Sequence, residues 1–258
     1  MFANLISANL TTRILGRHIE QVTWTKSTME DAWELIDNDV EEGALIITDK
    51  QTAGKGRTGR TWVSHPGKSV TASLILNPNC KANTGGLFPL VVGIAVVKTL
   101  CDLGLTANLK WPNDIMVHGK KIGGILCESK VCGTNLIWVV VGLGLNINEN
   151  NEDLPIDLNT TSFFVETSST IQRELILANI LNHLELLYKK LIENDPIGSL
   201  LNNWTAHCNH IGKTIKFEAG NKILEGKFIG VNNDGRAIIR FNGKENVYTS
   251  GEIHLIQS

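Results

Sequence analysis

A glycine-spaced loop rich in positive charge is the feature of this sequence best suited to chemistry. Residues 54–60 read GKGRTGR, and Trp62 follows closely. The stretch from Lys50 to Cys101 contains no Asp or Glu, although the whole chain has a formal net charge of only -2. Glycine lets a backbone turn tightly and approach a ligand, and Arg offers a planar fork for phosphate or carboxylate. The pattern therefore indicates a loop that encloses a small anion, such as a nucleotide.

The G-x-G-x-x-G spacing of this loop also occurs in dinucleotide-binding folds. In those folds the loop opens directly into a helix, and an acidic residue about 20 positions later holds the ribose. Here Trp62, Pro66 and Gly67 interrupt any helix, and the next acidic residue is Asp102. These two departures disfavour a dinucleotide fold. Taken alone, the loop fits a solvated surface hairpin equally well.

A second group of residues with chemical potential lies downstream. Pro112 fixes a rigid turn that would present Asn113, whose amide both donates and accepts hydrogen bonds. Asp114 could orient a lysine or help to hold a hydrated magnesium ion. Lys121, past one hairpin turn, could return to the same cleft as a mobile point charge. In isolation this pattern is more typical of an ordinary turn. The group consists of Lys110-Trp111-Pro112-Asn113-Asp114 and Lys120-Lys121-Ile122-Gly123-Gly124.

The elements that must position these segments alternate between strands and helices. Thr28 precedes a helical pattern from Met29 to Ile36, in which Glu30 and Asp31 suit the positive end of the helix dipole. Short apolar runs predict strands, and three- and four-residue apolar spacing predicts helices. The predicted strands are 44–48, 69–76, 122–128 and 136–141, and the predicted helices are 87–103, 173–192 (stopped by Asp195-Pro196) and a shorter one through Trp204.

From about Ile211 the sequence changes to short strand-like pieces separated by turns. Asn232 to Gly235 and Asn242-Gly243 are hairpin signals. This spacing predicts a small β-barrel appended to the main domain. We therefore expect a catalytic domain at residues 1–208 and a C-terminal barrel at 209–258. The predicted strands are 214–217, 223–231, 237–241, 247–249 and 253–256.

Bulk composition excludes several classes of protein. The chain has 258 residues, of which 42% are hydrophobic and 19% charged, as in an ordinary globular protein. A sequence pI near 6.4 disfavours a general nucleic-acid coating protein. Five cysteines without a CxxC pair indicate thiols in a reducing cytosol and not a zinc site. Because no signal peptide and no apolar run near ~20 residues occur, we expect a soluble, cytoplasmic protein without a membrane segment.

Read together, the ordered segments resemble the biotin–protein ligases. The resemblance spans roughly residues 18 to 256. It implies an α+β fold: a mixed-sheet catalytic domain of the biotin/lipoate ligase type, similar to class II synthetases, with a C-terminal SH3-like barrel. Such a run of matches in order is far more specific than any one of them. The matching segments are 26–28, 51–62, 110–114, 121–128, 142–148 and 160–162.

The resemblance implies a reaction in two steps. Biotin attacks the α-phosphorus of ATP to form biotinyl-5'-AMP, and a lysine of the acceptor protein then displaces AMP. Lys121, Arg57 and Asp114 are the expected catalytic residues, and Mg2+ is expected on the ATP phosphates without a metal motif in the side chains. The expected biotin contacts are Ser27, Thr28, Met29, Gln51, Lys55, Gly56, Arg57, Lys121, Gly123 and Gly124. The expected ATP or adenylate contacts are Arg57, Arg60, Trp62, Lys110, Asn113 and Asn146.

This chain departs from the family pattern at three positions. The usual loop is Gly-Arg-Gly-Arg-Arg-Gly, whereas this chain has Lys55 and Thr58 at two of the arginine positions, and Met29 replaces a common Asn. Lys55 keeps its charge but lacks the planar fork, so we expect weaker loop closure or retention of the intermediate. No helix-turn-helix module precedes the matching region, so the resemblance implies a ligase without DNA binding.

Two rival functions remain open at this point. A lipoate–protein ligase shares the fold and chemistry, and a non-catalytic biotin-binding or DNA-binding regulator is a rival of another class. The loop, the 110–114 segment and the barrel favour biotin, and an intact Lys121 favours an enzyme. The resemblance implies that the acceptor is the biotin-carrier domain of a carboxylase such as acetyl-CoA carboxylase. A homodimer is possible, but no residue pattern proves it.

Overall fold

The computed structural model describes residues 1–155, 158–193, 197–219 and 222–255. Two short 3-10 segments, Arg57–Gly59 and Ala82–Leu87, supplement the regular elements. The helices are α1 (Ala3–Asn9), α2 (Thr28–Asp37), α3 (Phe88–Asp102), α4 (Phe163–Thr167), α5 (Arg173–Ile192) and α6 (Ile197–His207). The strands are β1 (Ile19–Thr25), β2 (Leu45–Gln51), β3 (Val70–Leu76), β4 (Cys80–Lys81), β5 (Ala107–Lys110), β6 (Asp114–Val117), β7 (Lys120–Cys132), β8 (Asn135–Leu145), β9 (Thr214–Ala219), β10 (Lys222–Val231), β11 (Ala237–Phe241), β12 (Lys244–Tyr248) and β13 (Glu252–Leu255).

The larger sheet is mixed. Its strand order is β1-β2-β3-β8-β7-β6-β5, and β4 pairs with the start of β8. Strands β1 and β2 run parallel, whereas the pairs from β2–β3 onward are antiparallel. With helices on both faces, this architecture confirms the predicted α+β class with a mixed sheet.

The two faces of this sheet bury different sets of side chains because successive strand residues point to opposite sides. Leu45 and Ile47 of β2 join the main core, which includes helices α3 and α5. Ile46 faces the other way, into a smaller cluster with Met29 and Ile36 of α2. Helix α2 therefore covers the face opposite the main core. That second face is also the one that carries the site described below.

Helix α3 is the central element of the main core. Its buried residues occupy nearly all of its circumference, which explains why its apolar positions show little one-sided pattern. The segment Ala82–Asp102 is long and apolar enough to cross a membrane by composition alone. However, 67% of its apolar window is buried inside the protein, which is typical of a core helix.

The C-terminal residues form a second, antiparallel sheet with the order β12-β11-β10-β9-β13. A bulge in β10 between Phe228 and Gly230 bends this sheet. In the part of the chain that the structure describes, β12 and β13 remain its edges, so strand pairing does not close a barrel. This arrangement is consistent with the predicted SH3-like barrel. Ile256, which was expected in the last strand, lies outside the described residues.

Trp111 joins the two sheets. Its indole Nε1 donates to the carbonyl of Gly235 at 3.0 Å, and its ring lies 6.4 Å from that of Phe217. Trp111 is 1% exposed, so both its apolar ring and its polar N–H are satisfied. Trp111, just before the Asn113-Asp114 turn, is thus an anchor between the larger sheet and the C-terminal sheet.

Most predicted elements are present, with shifted ends. The predicted helix over residues 29–36 is present and extends by one residue at each end, and the helix through Trp204 is confirmed. Each strand of the predicted pair 122–128 and 136–141 is longer at both ends. Strand β1 was not predicted, because its half-exposed edge position leaves polar residues at most sites. The predicted helix stop at Asp195-Pro196 lies outside the described residues.

His210, at the junction of the two sheets, makes stability depend on pH. It is fully buried, with a hydrogen bond to the Cys208 sulfur at 3.2 Å. Burial, followed by the charges of Lys110 and Lys213, lowers the pKa of His210 to about 3. The unfolded chain therefore binds a proton near pH 6.5 that the folded chain rejects. Stability is full above that pH and is lost as pH falls towards 3.

We predict that the free energy of unfolding falls by about 2 kcal/mol more between pH 7 and pH 5 than it does in His210→Gln. Urea unfolding at the two pH values measures this difference. An identical pH dependence in both proteins would show that His210 titrates normally in the folded state.

Candidate functional site

The glycine-spaced loop is a closed hairpin in the structure. The Gly56 amide donates to the Arg60 carbonyl at 2.7 Å, and the Trp62 amide donates to the Gly54 carbonyl at 2.9 Å. The tip is the 3-10 turn Arg57–Gly59, in which Thr58 has a φ of 51°. Left-handed backbone is uncommon outside glycine. Thr58, which stands where the family pattern has its third arginine, is therefore a strained turn residue in this chain.

Each cation of this loop contacts a different part of the protein. Lys55 Nζ lies 2.8 Å from Glu30 Oε1 of α2. Arg57 Nη1 donates to Asn113 Oδ1 at 3.3 Å. The third cation, Arg60, pairs with a carboxylate of the C-terminal sheet. Together these contacts draw the loop over the cleft between the two sheets.

Arg57 is the most enclosed of the three cations. Burial lowers the pKa of its guanidinium, and the charge of Asp114 opposes that shift. A guanidinium nevertheless stays protonated in proteins. The loop therefore holds a permanent, partly desolvated positive charge above the Pro112-Asn113 turn.

Asp114 holds two lysines at the head of the second segment. Its Oδ1 lies 2.5 Å from Lys121 Nζ, and its Oδ2 lies 3.7 Å from Lys110 Nζ. The turn itself is fixed to β7, because Asn113 Nδ2 donates to the Ile125 carbonyl at 2.6 Å. Of the two roles predicted for Asp114, this geometry matches the orientation of lysines.

The two glycines after Lys121 face different sides of the sheet. A Cβ on Gly124 would lie 3.3 Å from Lys121 Nζ, whereas a Cβ on Gly123 would overlap the side chain of Leu145 in the core. Gly124 therefore leaves room for the lysine on the site face. Gly123 serves close packing between β7 and β8, and its backbone remains beside the site.

A pocket of buried polar side chains lies at the base of the loop, below α2. The Thr28 amide and hydroxyl both donate to Gln51 Oε1, at 2.9 and 3.1 Å. Ser73 Oγ donates to Thr28 Oγ1 at 2.7 Å. Among the described residues, Ser27 Oγ and Thr71 Oγ1 are buried without a hydrogen-bond partner.

Thr71 and Ser73 were missed from the sequence. They occupy alternate positions of β3, which otherwise reads as a fully buried apolar strand. Two polar residues at a spacing of two in such a strand are the signal that could have found them. The strand pairs them with Gly144 and Gly142, which places their side chains on the site face.

Trp62 and Met29 form the roof over these glycines. The Trp62 ring packs directly on Gly144, and a Cβ on Gly142 would lie 2.7 Å from Met29 Sδ. Within the described chain, Trp62 Nε1 is also buried without a partner. An unpaired buried polar group costs about 1–3 kcal/mol. Three such groups around one pocket indicate a ligand that supplies hydrogen bonds there.

Asn146 lies behind Lys121, away from open solvent. It is 8% exposed, and its Nδ2 donates to the Thr161 carbonyl at 3.0 Å. The structure therefore brings Asn146 next to β7, the strand of Lys121, but not to the wall of the cavity described next.

A cavity of about 1020 Å³ opens beside the polar pocket. Residues 52–61 cover it, and the start of α3 and the hairpin at Asp234 to Arg236 form its far walls. Its basic residues outnumber its acidic ones, and protein cavities for small ligands typically measure about 300–1,000 Å³. Gln51 and Lys121 lie outside its lining, next to the base of the loop. Its charged residues are Lys55, Arg57, Arg60, Arg236, Glu128 and Asp234.

The arrangement fits a metal carried by phosphates better than a metal held by side chains. Asp114 is already committed to two lysines, whose charges would repel a cation. In the described ranges, Glu218, Glu252 and His254 do bring ligand atoms within 4.8 Å of one another. That group is largely solvent-exposed. Its Glu252 carboxylate already forms an ion pair with Arg60.

Two family models match the chain. The biotin/lipoate A/B protein ligase family matches residues 20–146, and the biotin protein ligase C-terminal domain matches residues 210–255. The bifunctional ligase/repressor BirA of Bacillus subtilis is 32% identical over 251 residues, which cover 95% of this chain and 76% of that protein. The biotin–[acetyl-CoA-carboxylase] ligase of Paracoccus denitrificans is 27% identical, with 89% and 97% covered.

A solved structure agrees with these relatives. The Aquifex aeolicus biotin protein ligase in complex with biotin and ATP matches with a TM-score of 0.76 at 27% identity, covering 94% of this chain and 100% of that one. The chain therefore belongs to the biotin/lipoate A/B protein ligase family. Its C-terminal match and its relatives are biotin protein ligases, so the family predicted from the sequence is confirmed.

We predict that Glu252→Gln speeds tryptic cleavage after Arg57 and Arg60 by up to about fivefold. The substitution removes the ion pair of Arg60, and an exposed pair contributes at most about 1 kcal/mol. Timed digestion followed by mass spectrometry measures the rate. Biotin with ATP should slow cleavage in both proteins, because a loop that closes over a ligand is protected.

The matched control is Glu245→Gln, which removes an exposed ion pair with Arg240 elsewhere in the same sheet. Equal cleavage rates in all three proteins, with no protection by ligands, would contradict the assignment of the loop as a ligand cover.

Proposed function

We propose that this chain is an ATP-dependent biotin protein ligase that makes biotinyl-5'-AMP and transfers biotin to a lysine of a carrier domain. The observation that supports it most is the meeting of Lys121, Asp114, Asn113 and Arg57 beside a polar pocket. The relatives named above act on acetyl-CoA carboxylase or bind biotin and ATP, which supports the same substrates and the same class of acceptor here.

The first step must bring an anionic carboxylate against an anionic triphosphate. Lys121 contacts Asp114 and Arg57 contacts Asn113, so both cations meet at the same turn and can neutralise both anions. In this proposal the Lys121 ammonium leaves its contact with Asp114 and binds the reacting oxygens of the carboxylate and phosphate. Asp114 stays close and keeps the lysine oriented. Positioned charges of this kind supply several kcal/mol in a water-poor site, about 2.7–4 for one donor in another enzyme class.

The polar pocket would hold the ureido ring of biotin. Gln51 Oε1 is used by Thr28, which leaves the Gln51 amide Nε2 to donate to the ureido oxygen. Ser27 Oγ is available to accept from a ureido N–H or to donate to the oxygen. Met29, Lys55, Gly56 and the backbone at Gly123 and Gly124 would close the pocket around the rest of the molecule.

The basic cavity would hold ATP and then the adenylate. Arg57 and Arg60 line it and are its proposed phosphate contacts, and Asn113 is a proposed contact of the nucleotide. Lys110 lies outside the lining, paired with Asp114, and is proposed as a further phosphate contact. Trp62 would present a ring edge or face to the adenylate, whereas Asn146, which lies outside the cavity lining, would act from behind Lys121 by holding the Thr161 carbonyl. Mg2+ bound to the phosphates would add charge neutralisation there.

The second step needs no covalent enzyme intermediate. The acceptor lysine attacks the acyl carbon of the mixed anhydride, the C–O bond to phosphate breaks, and AMP leaves with the electron pair. The loop at residues 54–60 would keep water from the anhydride until the acceptor binds. The five free cysteines suit a reducing compartment, which supports a cytoplasmic reaction.

We predict that Lys121→Ala lowers biotin-dependent ATP–pyrophosphate exchange by at least about 10²-fold. The fold should persist, because the Lys121 side chain is partly exposed and only its charge contacts are lost. Lys120→Ala, one residue earlier at an exposed position, is the matched control and should keep normal exchange. Near-normal exchange by Lys121→Ala would remove this lysine from its proposed role.

We also predict that pyrophosphate exchange requires biotin and does not occur with lipoate or without an acid. The physical reason is that Ser27, Thr28 and Gln51 offer buried hydrogen bonds, which lipoate would leave unpaired. Exchange assays with the three additions measure this selectivity. Exchange driven by lipoate would support the lipoate ligase instead, and biotin binding without exchange would support a non-catalytic regulator.

A further inference from the structure

Lys121 reaches the site face because β7 contains a bulge. Ile115 of β6 pairs with Gly123, but the next residue, Met116, pairs with Lys121, so Ile122 is extra. In a regular strand Lys121 and Gly124 would point to opposite faces. The bulge turns Lys121 to the face of Gly124, while Ile122 stays fully buried. Bulges commonly redirect a side chain in this way beside active sites.

The bulge disturbs the β6–β7 ladder, so its backbone groups need other partners. Residues 158–162, which we name the strap, supply them. The Lys121 amide donates to the Asn159 carbonyl at 2.9 Å, and the Thr161 amide donates to the Lys121 carbonyl at 2.9 Å. The backbone N–H of Asn146 donates to the Ile122 carbonyl at 2.8 Å. Both backbone groups of the catalytic lysine are therefore held by the strap.

Glu166 of α4 ties the strap to the hairpin that carries Lys121. Thr161 Oγ1 donates to Glu166 Oε1 at 2.5 Å. The second oxygen, Oε2, lies 2.7 Å from Nδ1 of His118, at the tip of the β6–β7 hairpin. Thr161 is fully buried, and the Glu166 side chain is 10% exposed. One carboxylate thus joins the strap to the far end of the same hairpin.

The charge state of Glu166 favours this arrangement. Burial raises the pKa of its carboxyl, but the hydrogen bonds of Thr161 and His118 and the charge of Lys120 outweigh burial, so the pKa is lowered. The group is ionised at neutral pH and can only accept hydrogen bonds. It therefore fixes the direction of the Thr161 hydroxyl and, through it, the strap.

We propose that Glu166 is a positioning residue for the adenylation step, acting through Thr161 and the strap on Lys121. The inference rests on the proposed function, because it gives Lys121 the central role in that step. Lys121 lies on a disturbed stretch of strand, so its direction depends on the strap. A shift of about 1 Å in a reacting group can cost up to ~10²-fold in rate.

The test uses Thr161→Val in the full chain, which removes the hydroxyl but keeps the backbone bond to Lys121. We expect kcat for biotin-dependent ATP–pyrophosphate exchange to fall about tenfold, with KM for biotin within about twofold of wild type. Thr161→Ser, which restores the hydroxyl, should recover most of the rate. Thr99→Val is the matched control, since its buried hydroxyl donates to the Ala95 carbonyl within the core helix α3, away from the strap.

Glu166→Gln provides a second variant that keeps the size of the side chain and removes its charge, and it should lower kcat in the same direction. Thermal melting verifies that each variant is folded at the assay temperature. Folded Thr161→Val and Glu166→Gln proteins with wild-type kcat would overturn the inference, provided that Lys121→Ala is inactive. Normal exchange by Lys121→Ala would instead overturn the proposed function itself.

Discussion

The ion pair between Asp114 and Lys121 is the interaction on which the site depends. The protein gathers several positively charged side chains around one pocket. Two unit charges 4 Å apart interact by about 4 kcal/mol at an effective dielectric constant of 20, so uncompensated cations would push the loop and the strands apart. Asp114 relieves this repulsion by holding Lys121 at 2.5 Å and Lys110 at 3.7 Å. Because the group that holds these lysines is a carboxylate, the carboxylate or phosphate of a ligand can take the place of Asp114.

The rest of the fold follows from the need to bring distant segments to this pair. The apolar face of the sheet packs against α3 and α5, and the other face carries the small residues Gly142 and Gly144. That face can therefore admit both a roof of side chains and a ligand. The C-terminal sheet is joined to the turn beside the pair through Trp111 and Gly235. A change in the position of the second sheet would therefore displace the turn that carries Asn113 and Asp114.

The residues of the loop and the turn could be predicted from the sequence more fully than their arrangement in space. The 54–60 loop and the 110–114 turn are readable because glycine and proline restrict what the backbone can do, and both do converge on Arg57 and Asn113. The bulge at Ile122 could not be predicted from the sequence, since it arises from the pairing of β7 with β6 and no residue type marks its position. Thr71 and Ser73 leave a weak signal, two polar residues at a spacing of two, but only the pairing of β3 with β8 shows that their side chains lie on the site face. Roles for individual residues in biotin or ATP binding remain predictions.

A crystal structure of the chain with biotinyl-5'-AMP would test the central claim most directly. The account predicts that Lys121 Nζ and the Arg57 guanidinium both lie within hydrogen-bonding distance, about 3.5 Å or less, of the acyl phosphate. It also predicts that the ureido ring lies against Ser27 and Gln51. An acyl phosphate held elsewhere, with Lys121 still paired only to Asp114, would contradict it.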